Sequence, residues 1–289
     1  ALQGVDRIAI RPQLPRSYTD RIPVGDRPID MVMNQEETKL YVLNQFSDSI
    51  SVIDLQQSKP LHQISLGPQP ELTDADRGER LFFDATLSLR GWYSCHSCHT
   101  DGHTTGLLND NLGDDHFGSP KRILTLLGAH STAPFSWLGK MDSLEDQIVK
   151  SLKKTMLHRG SPIEKARLLV SYLKTLEAPP SLLKAREDHD STLFEKGKSV
   201  FQTEGCHECH EQPTYTSPET FDVGLTDQAG NSKFNPPSLR GLSQRDTFLH
   251  DNSATSVEDL LFNQNHPDPQ GTPIPSENRK ALLHFLNSL

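Results

Sequence analysis

Two copies of the pattern Cys-x-x-Cys-His constrain this chain more than any other feature. They lie at Cys95–His99 and Cys206–His210, and together they contain all 4 cysteines of the 289 residues. A disulfide framework would spread its cysteines along the chain, a redox dithiol would not need the histidines, and paired zinc half-sites usually lie closer together. C-x-x-C-H is the attachment sequence of c-type haem. The sequence therefore predicts two covalently bound haem c groups.

In each motif the two thiols form thioether bonds to the haem, and the histidine that follows binds the iron. The thioether-forming residues are Cys95, Cys98, Cys206 and Cys209. The proximal iron ligands are His99 and His210. Two buried macrocycles also suit a loop-rich chain with 18 Gly, 20 Pro and only 7% aromatic residues, because each contributes a large apolar surface to the core.

Charge and hydropathy exclude several partners. The formal net charge is −9, which argues against nucleic acid and against anionic membrane surfaces. The same charge would steer a small basic electron carrier towards the chain, although solubility alone also explains it. No apolar run reaches the roughly 20 residues of a membrane span. Position 1 is not Met and no signal peptide is visible, so we expect a processed or shortened chain.

The first 70 residues differ from the rest. Short apolar runs at 40–43 and 50–53, separated by Asn, Asp, Ser and Gln, predict strands and turns. VGDRP at 24–28 returns as LGPQP at 66–70, with a glycine period of 42 that is typical of one β-propeller blade. KLYVLNQFSDSISVID resembles the YVTN-type propeller repeat. We therefore predict a blade-like β segment at 1–70, which either follows further blades or packs as a small sheet on its neighbour.

From Leu72 onwards the periodicity becomes helical. Thr73 is a good N-cap for a helix that leads into the first haem motif, and Ser143 caps a second helix. A third helix is predicted over 161–180, where Pro179 and its successor stop it.

The same layout then repeats. After a predicted linker at 181–190, a helix leads into the second haem motif, and PSENRKALLHFLNSL forms a closing helix. An opening helix, C-x-x-C-H, a long loop and a closing helix make up a small cytochrome c domain. We therefore predict a mainly α fold with two tandem cytochrome c-like domains, at 71–180 and 181–289, each with one haem c.

Two such domains resemble the bacterial dihaem cytochrome c peroxidase and MauG family over about residues 70–289. FSWLGKMDSLEDQ at 135–147 is similar to the family's F-W-D-G-R…S-L-E-E-Q segment, and residues 236–261 are similar to its P-T-L-R-N…F-H-D-G…S-L-E-E segment. The resemblance implies a periplasmic or cell-surface oxidoreductase. A small cytochrome c or cupredoxin-type protein would reduce the second haem, and the first would reduce hydrogen peroxide or form a high-valent oxidant.

The resemblance also implies roles for individual residues. Trp137 falls on the tryptophan between the two haems, and Gln147 falls on the distal glutamine of the peroxidatic site. The family's catalytic glutamate falls on Leu157, so His158 or a water molecule would have to handle the proton. Arg122 stands near the asparagine that holds calcium in the family. We expect a guanidinium in place of the ion and no calcium there.

The sixth ligand of the second iron departs from the family, which uses Met or, in MauG, Tyr. After the second motif the chain has no Met, and its only Tyr, Tyr215, almost touches the motif. Among His250, His266 and His284, we choose His266, because it lies two residues past the family's ligand position. Two histidines would give a lower reduction potential than His with Met.

For the sixth ligand of the first iron, the sequence leaves three options. His116 lies close to where the resemblance places a distal histidine on a mobile loop. His103, four residues past the proximal histidine, is the second option, and an open position is the third.

Two other functions remain open from the sequence. A dihaem electron-transfer protein with both irons six-coordinate would need no catalytic glutamate and no methionine. A surface interaction protein would bind through the β segment and keep its haems as vestiges. An exchangeable ligand at the first iron distinguishes the peroxidase from the carrier.

Overall fold

A computed structural model describes residues 3–10 and 20–289 of the chain. Its α-helices are α1 Asp74–Phe83, α2 Leu144–Lys150, α3 Ile163–Leu173, α4 Leu182–Ala185, α5 Ser191–Thr203 and α6 Ser276–Asn287. Its longer strands are β1 Arg7–Ile10, β2 Asp20–Pro23, β3 Pro28–Met33, β4 Lys39–Asn44, β5 Ser49–Asp54 and β6 Lys59–Ser65. Two-residue strands follow, namely β7 Leu108–Asn109, β8 Lys121–Arg122, β9 Phe221–Asp222 and β10 Lys233–Phe234.

The N-terminal part is a four-stranded antiparallel sheet in the order β3-β4-β5-β6, beside a hairpin of β1 and β2. The strands predicted at 40–43 and 50–53 are present as β4 and β5. Their inward side chains form a small apolar core with the hairpin, made of Ile8, Ile22, Leu40, Val42 and Ile53. Four consecutive antiparallel strands are the shape of one propeller blade. The propeller origin of this segment stays a prediction.

The sheet packs on the first helix of the helical region. Arg27 places its guanidinium carbon 3.3 Å from the centroid of the Phe83 ring and pairs with Glu79 at 3.4 Å. Arg80 on α1 reaches back to the backbone oxygen of Phe46. Stacking of a guanidinium on an aromatic face, with a carboxylate beside it, fixes the sheet to α1.

Both halves of the helical region use the same packing device. Helix α1 packs against α3, and α5 packs against α6. In each pair a glycine of the opening helix touches the backbone of the closing helix. A Cβ on Gly78 would overlap the carbonyl oxygen of Leu168, and one on Gly197 would overlap that of Ala281. This shared contact supports an internal duplication.

Two large apolar cores surround these helix pairs. The first contains Phe82, Phe83, Leu152, Leu169 and Leu173 among its members. The second contains Val200, Phe201, Leu261, Leu282 and Phe285 among its members. The cores lie on either side of residue 181, so we keep the division into 71–180 and 181–289 as our proposal for the domains.

Most predicted helix starts are correct, and some ends are not. Thr73 forms a capping box with Asp76, and the side chain of Ser143 accepts the N–H of Asp146, as N-caps do. The third helix ends at Leu173 and does not reach Pro179. The cause is the carbonyl of Leu176, which accepts the N–H of a distant glycine at 2.8 Å and draws the chain out of the helix.

Two further segments differ from the sequence predictions. The predicted linker at 181–190 contains the short helix α4, whose N-cap is Ser181. The second helix changes at Ser151–Thr155 into a π-helical turn, which shifts the side chains that follow α2. No helix in the described ranges is both long and apolar enough to cross a bilayer.

Replacing Gly197 by Ala is expected to destabilise the protein by about 3 kcal/mol, because the new methyl group overlaps a backbone carbonyl that cannot move alone. The overlap outweighs the gain of up to about 1 kcal/mol that the better helix propensity of Ala would bring. The measurement is chemical denaturation of the holoprotein. Lys198→Ala, at an exposed site on the same helix, is the control and should change stability by less than about 0.5 kcal/mol. A stable Gly197→Ala variant would contradict the close helix contact.

Candidate haem sites

The first C-x-x-C-H motif borders a cavity of about 350 Å³. A 3-10 turn at Cys95–Ser97 turns both thiols to the same wall, and the N–H of His99 closes the turn onto the oxygen of Cys95 at 2.9 Å. The opposite walls come from α2, the π-helical turn and the segment 122–127.

His99 is oriented for iron. Its Nδ1–H donates to the carbonyl oxygen of Leu124 at 2.9 Å, so Nε2 keeps its lone pair. Burial lowers the pKa of His99 to about 4, which keeps the ring neutral, as a metal ligand must be. A hydrogen bond from the second ring nitrogen to a carbonyl is the usual support of a ligating histidine.

The second motif repeats this construction. Cys206–Glu208 forms the 3-10 turn, and Nδ1–H of His210 donates to the carbonyl oxygen of Tyr215 at 3.1 Å. Burial lowers the pKa of His210 to about 4 as well. Both proximal histidines therefore present a neutral Nε2 next to two unpaired thiols.

His266 follows a π-helical turn at Asp259–Asn263, and its N–H donates to the oxygen of Leu260 at 3.1 Å. Burial, followed by the charge of His210, lowers the pKa of His266 to about 4. His266 is therefore a neutral imidazole within electrostatic range of the second motif.

The other two candidate ligands, His250 and His284, lie in other contacts. The ring of His250 is 2% exposed and stacks on Phe234 at a centroid distance of 4.4 Å. His284 Nε2 accepts the N–H of Asp190 at 3.0 Å. His250 is therefore packed against an aromatic ring, and one ring nitrogen of His284 is already occupied.

Gln147 lies on the side of the first cavity formed by α2. Its Nε2 donates to Ser151 Oγ at 3.2 Å, while its Oε1 is buried without a hydrogen-bond partner. A buried carbonyl oxygen without a partner costs free energy, so a donor is expected to meet it when the site is in use.

Trp137 lines the same cavity and contacts the second half of the chain. It is 8% exposed, and its Nε1–H donates to the backbone oxygen of Arg122 at 2.7 Å. Its own carbonyl accepts the N–H of Asn235 at 2.8 Å, and its ring meets His250 edge to face at 6.4 Å. The indole is thus held rigidly between the two halves.

His116 and His158 are not brought into the first cavity. His116 is exposed on a loop whose Asp114 is tied to a lysine, and it does not line the cavity. The Nδ1–H of His158 donates to the oxygen of Leu87 at 2.9 Å, which turns the ring away from the cavity. Leu157, which stands at the family's glutamate position, is 45% exposed. For His158 the reason is a hydrogen bond to a residue 71 positions away, which the sequence pattern does not reveal.

His103, the second option for the first iron, is also engaged. Its Nδ1 pairs with Thr125 Oγ1 at 2.7 Å, and its ring lines a separate cavity of about 340 Å³.

One buried ion pair was missed by the sequence prediction. Lys121 Nζ lies 2.5 Å from Asp114 Oδ2 and 3.0 Å from Asp227 Oδ2, and Ser119 Oγ lies 2.9 Å away. The Asp227 side chain is fully buried. An ammonium therefore lies between carboxylates of the two halves, and Arg122 is not part of this pair. That a guanidinium takes the place of calcium stays a prediction. No sequence signal links side chains more than 100 residues apart.

The residues of both motifs fit a covalent haem. Each motif offers two free thiols and one neutral imidazole nitrogen. Around the first motif the cavity wall is mostly apolar, with Phe82, Leu126 and Leu152. This donor set suits haem iron and a macrocycle, and the described residues contain no cluster of three or more His, Cys, Asp or Glu for another metal.

Comparison with known proteins agrees with this chemistry. Residues 73–185 match the family model described as di-haem cytochrome c peroxidase. Over this segment the chain is similar to that family. Hydrazine synthase subunit gamma of Kuenenia stuttgartiensis is 26% identical, over 73% of this chain and 76% of that protein. Methylamine utilization protein MauG of Methylorubrum extorquens is 28% identical, over 73% of this chain and 76% of its own length.

Solved structures give the same fold. Hydrazine synthase of Kuenenia stuttgartiensis superposes with a TM-score of 0.63 at 23% identity, over 76% of this chain and 89% of that chain. Together the comparisons support a haem oxidoreductase of the dihaem peroxidase and MauG type.

Replacing Lys121 by Met is expected to lower the free energy of unfolding by about 3 kcal/mol, because it leaves the Asp227 carboxylate buried without a counter-charge. The measurement is chemical denaturation near neutral pH. Lys154→Met removes an exposed pair with Asp115, where the side chains are 52% and 59% exposed, and should cost less than about 1 kcal/mol. Equal effects of the two substitutions would contradict the buried pair.

Asp227→Asn is expected to lower the free energy of unfolding by an amount that depends on pH. Burial alone would raise the pKa of Asp227, but hydrogen bonds from Asn231 and Lys121 outweigh it and lower the pKa overall. A lowered pKa stabilises the folded state above the unfolded pKa of about 3.9, and the contribution declines below that value. The stability difference between wild type and variant should therefore shrink as the pH falls from about 6 to about 3. A difference that stays constant over this range would contradict the ion pair.

Proposed function

We propose that the chain is a dihaem c-type oxidoreductase of the cytochrome c peroxidase and MauG type, located in the periplasm or at the cell surface. Electrons enter at the second haem motif and are used at the first to reduce hydrogen peroxide. One observation supports the assignment of electron entry to the second haem and of peroxide reduction to the first. His266 lies within electrostatic range of His210, whereas the cavity next to His99 is lined by no second histidine.

Each haem c, when bound, supplies an iron that exchanges single electrons and, at an open position, binds peroxide. The chain then decides which iron is open. His210 and His266 are both half-buried, and the pKa of each is lowered to about 4, which keeps both rings neutral, so together they suit a closed electron-transfer site. Of the three options for the first iron, the geometry favours the open one.

Gln147 is the residue that faces the open side. Its buried Oε1 has no partner and can accept a hydrogen bond from a hydroperoxide O–H or from a water molecule. A water held there can move a proton between the two oxygens of the substrate, which replaces the missing glutamate at Leu157. This assignment uses the water in preference to His158, whose Nδ1–H is already committed to a backbone oxygen.

Trp137 is proposed as the bridge between the two halves. Its ring is buried, its N–H is fixed on the oxygen of Arg122, and its edge meets His250. A rigid indole needs little rearrangement when an electron passes. The electron donor is proposed to be a small cytochrome c or cupredoxin-type protein with a basic face, which suits the net charge of −9.

A second substrate class follows from the same site. One relative is a subunit of hydrazine synthase, and the free Oε1 of Gln147 accepts an N–H as well as an O–H. Small nitrogen compounds with N–H groups are therefore the alternative substrates. The remaining alternative, electron transfer without catalysis, is supported by the absence of a carboxylate at Leu157.

Gln147→Leu is expected to lower kcat/KM for hydrogen peroxide by about 100-fold, because the variant loses the acceptor that positions the proton carrier. The measurement is the oxidation of a reduced small cytochrome c by the holoprotein with peroxide, and hydroxylamine is tested in parallel. Gln202→Leu on the exposed face of α5 is the control. If wild type turns over neither compound, the electron carrier becomes the better function.

His266→Ala is expected to convert the second haem from low spin to high spin in the visible and EPR spectra, because its sixth ligand is lost. His284→Ala, in the same half but bonded to a backbone N–H, is the matched control and should leave both spectra unchanged. A low-spin second haem in His266→Ala would rule out this ligand.

A further inference from the structure

Two arginines, the buried Arg122 and the half-buried Arg245, stand at the junction of the two halves without an anionic partner in contact. Arg122 is 5% exposed, donates from Nε to Thr247 Oγ1 at 3.1 Å, and keeps Nη2 buried without a partner. Arg245 donates from Nη2 to the backbone oxygens of Ser238 and Arg240, at 2.7 and 2.9 Å, and keeps Nε buried without a partner.

Their charges are not compensated at close range. Burial, followed by the charge of Arg122, lowers the pKa of Arg245 to about 10. Burial also lowers the pKa of Arg122, and the more distant Asp246 only partly opposes this. Removing guanidinium groups from water costs several kcal/mol unless an anion pairs with them, and two of them that line the same cavities also repel each other.

The position of the pair suggests the anion. Both arginines line the first-haem cavity that contains His99, and both also line the separate cavity of about 340 Å³ beside His103. The pair thus forms part of the wall of both cavities. Arg122 comes from the first half of the chain and Arg245 from the second, so one anion between them would touch both halves.

We propose that Arg122 and Arg245 form a carboxylate-binding site that takes a propionate of the haem attached at Cys95 and Cys98. A haem carries two propionates, and a guanidinium binds a carboxylate through two parallel hydrogen bonds. The same chemistry has a second source, which is a free carboxylate entering through the cavity beside His103. The inference rests on haem attachment at the first motif and is independent of which substrate is turned over.

Two consequences follow for the first haem. A positive pair at its edge stabilises the reduced iron relative to the oxidised iron and so raises the potential. The site also ties the first haem to the tryptophan bridge, because the backbone oxygen of Arg122 holds the N–H of Trp137. The pair is a positioning and tuning device.

The test is a spectroelectrochemical titration of the holoprotein as wild type, Arg122→Gln, Arg245→Gln and the control Arg279→Gln. Arg279 lies over the ring of Phe262 in the second half, away from both cavities. Haem content is checked first by pyridine haemochrome and mass spectrometry. This check distinguishes a variant that does not attach haem from one that attaches haem but lacks the carboxylate-binding site. Each sample is also titrated with acetate at constant ionic strength.

If a propionate occupies the site, Arg122→Gln and Arg245→Gln each lower the potential of the first haem only, and acetate has no effect on wild type. If a free carboxylate occupies it, acetate shifts the first potential of wild type with saturation, and both variants lose this response. If neither variant changes the first potential and acetate has no effect, the proposal is overturned.

A second pair of variants serves as a control for changes in folding. Arg122→Lys and Arg245→Lys keep the charge but lose the two parallel hydrogen bonds. If the positive charge raises the reduction potential of the first haem, both Lys variants should keep a potential close to that of wild type. If the Lys variants lower the reduction potential of the first haem as much as the Gln variants do, with intact haem content, the effect comes from packing. That result would contradict the proposed site.

Discussion

Each helical half of the molecule is organised around an imidazole whose Nδ1–H is held by a backbone carbonyl. The oxygen of Leu124 holds His99, and that of Tyr215 holds His210. This bond fixes the tautomer, turns Nε2 towards the place of the iron and sets the angle between the C-x-x-C-H turn and the loop that follows. Opening and closing helices, in contact at a glycine, then surround the motif. A macrocycle attached at each motif would add apolar surface to the core of a chain of low aromatic content.

The two halves differ where function requires it. In the second, His266 follows a π-helical turn at Asp259–Asn263, and we propose that it is the second histidine on that iron. In the first, a π-helical turn at Ser151–Thr155 follows α2, whose Gln147 lines the cavity with a buried oxygen that has no hydrogen-bond partner. The proposed function therefore has one closed and one open iron site. Trp137 and the arginine pair join them across the boundary.

The sequence predicted what depends on local pattern. The haem motifs, the caps at Thr73 and Ser143 and the strands β4 and β5 are each encoded by a few adjacent residues. The features that it missed depend on contacts between distant segments. Helix α3 ends early because of a bond from Leu176 to the segment that follows the first motif. The Lys121 ion pair and the turning away of His158 likewise depend on partners that only the fold brings close.

The central claim is that one iron is open and the other is closed by two histidines. The most direct measurement is a cyanide titration of the oxidised holoprotein, followed by low-temperature EPR. The account predicts that one equivalent of cyanide binds per chain, that the signal of the first haem changes, and that the low-spin signal of the second haem is untouched. Binding of two equivalents, or of none at all, would contradict the account.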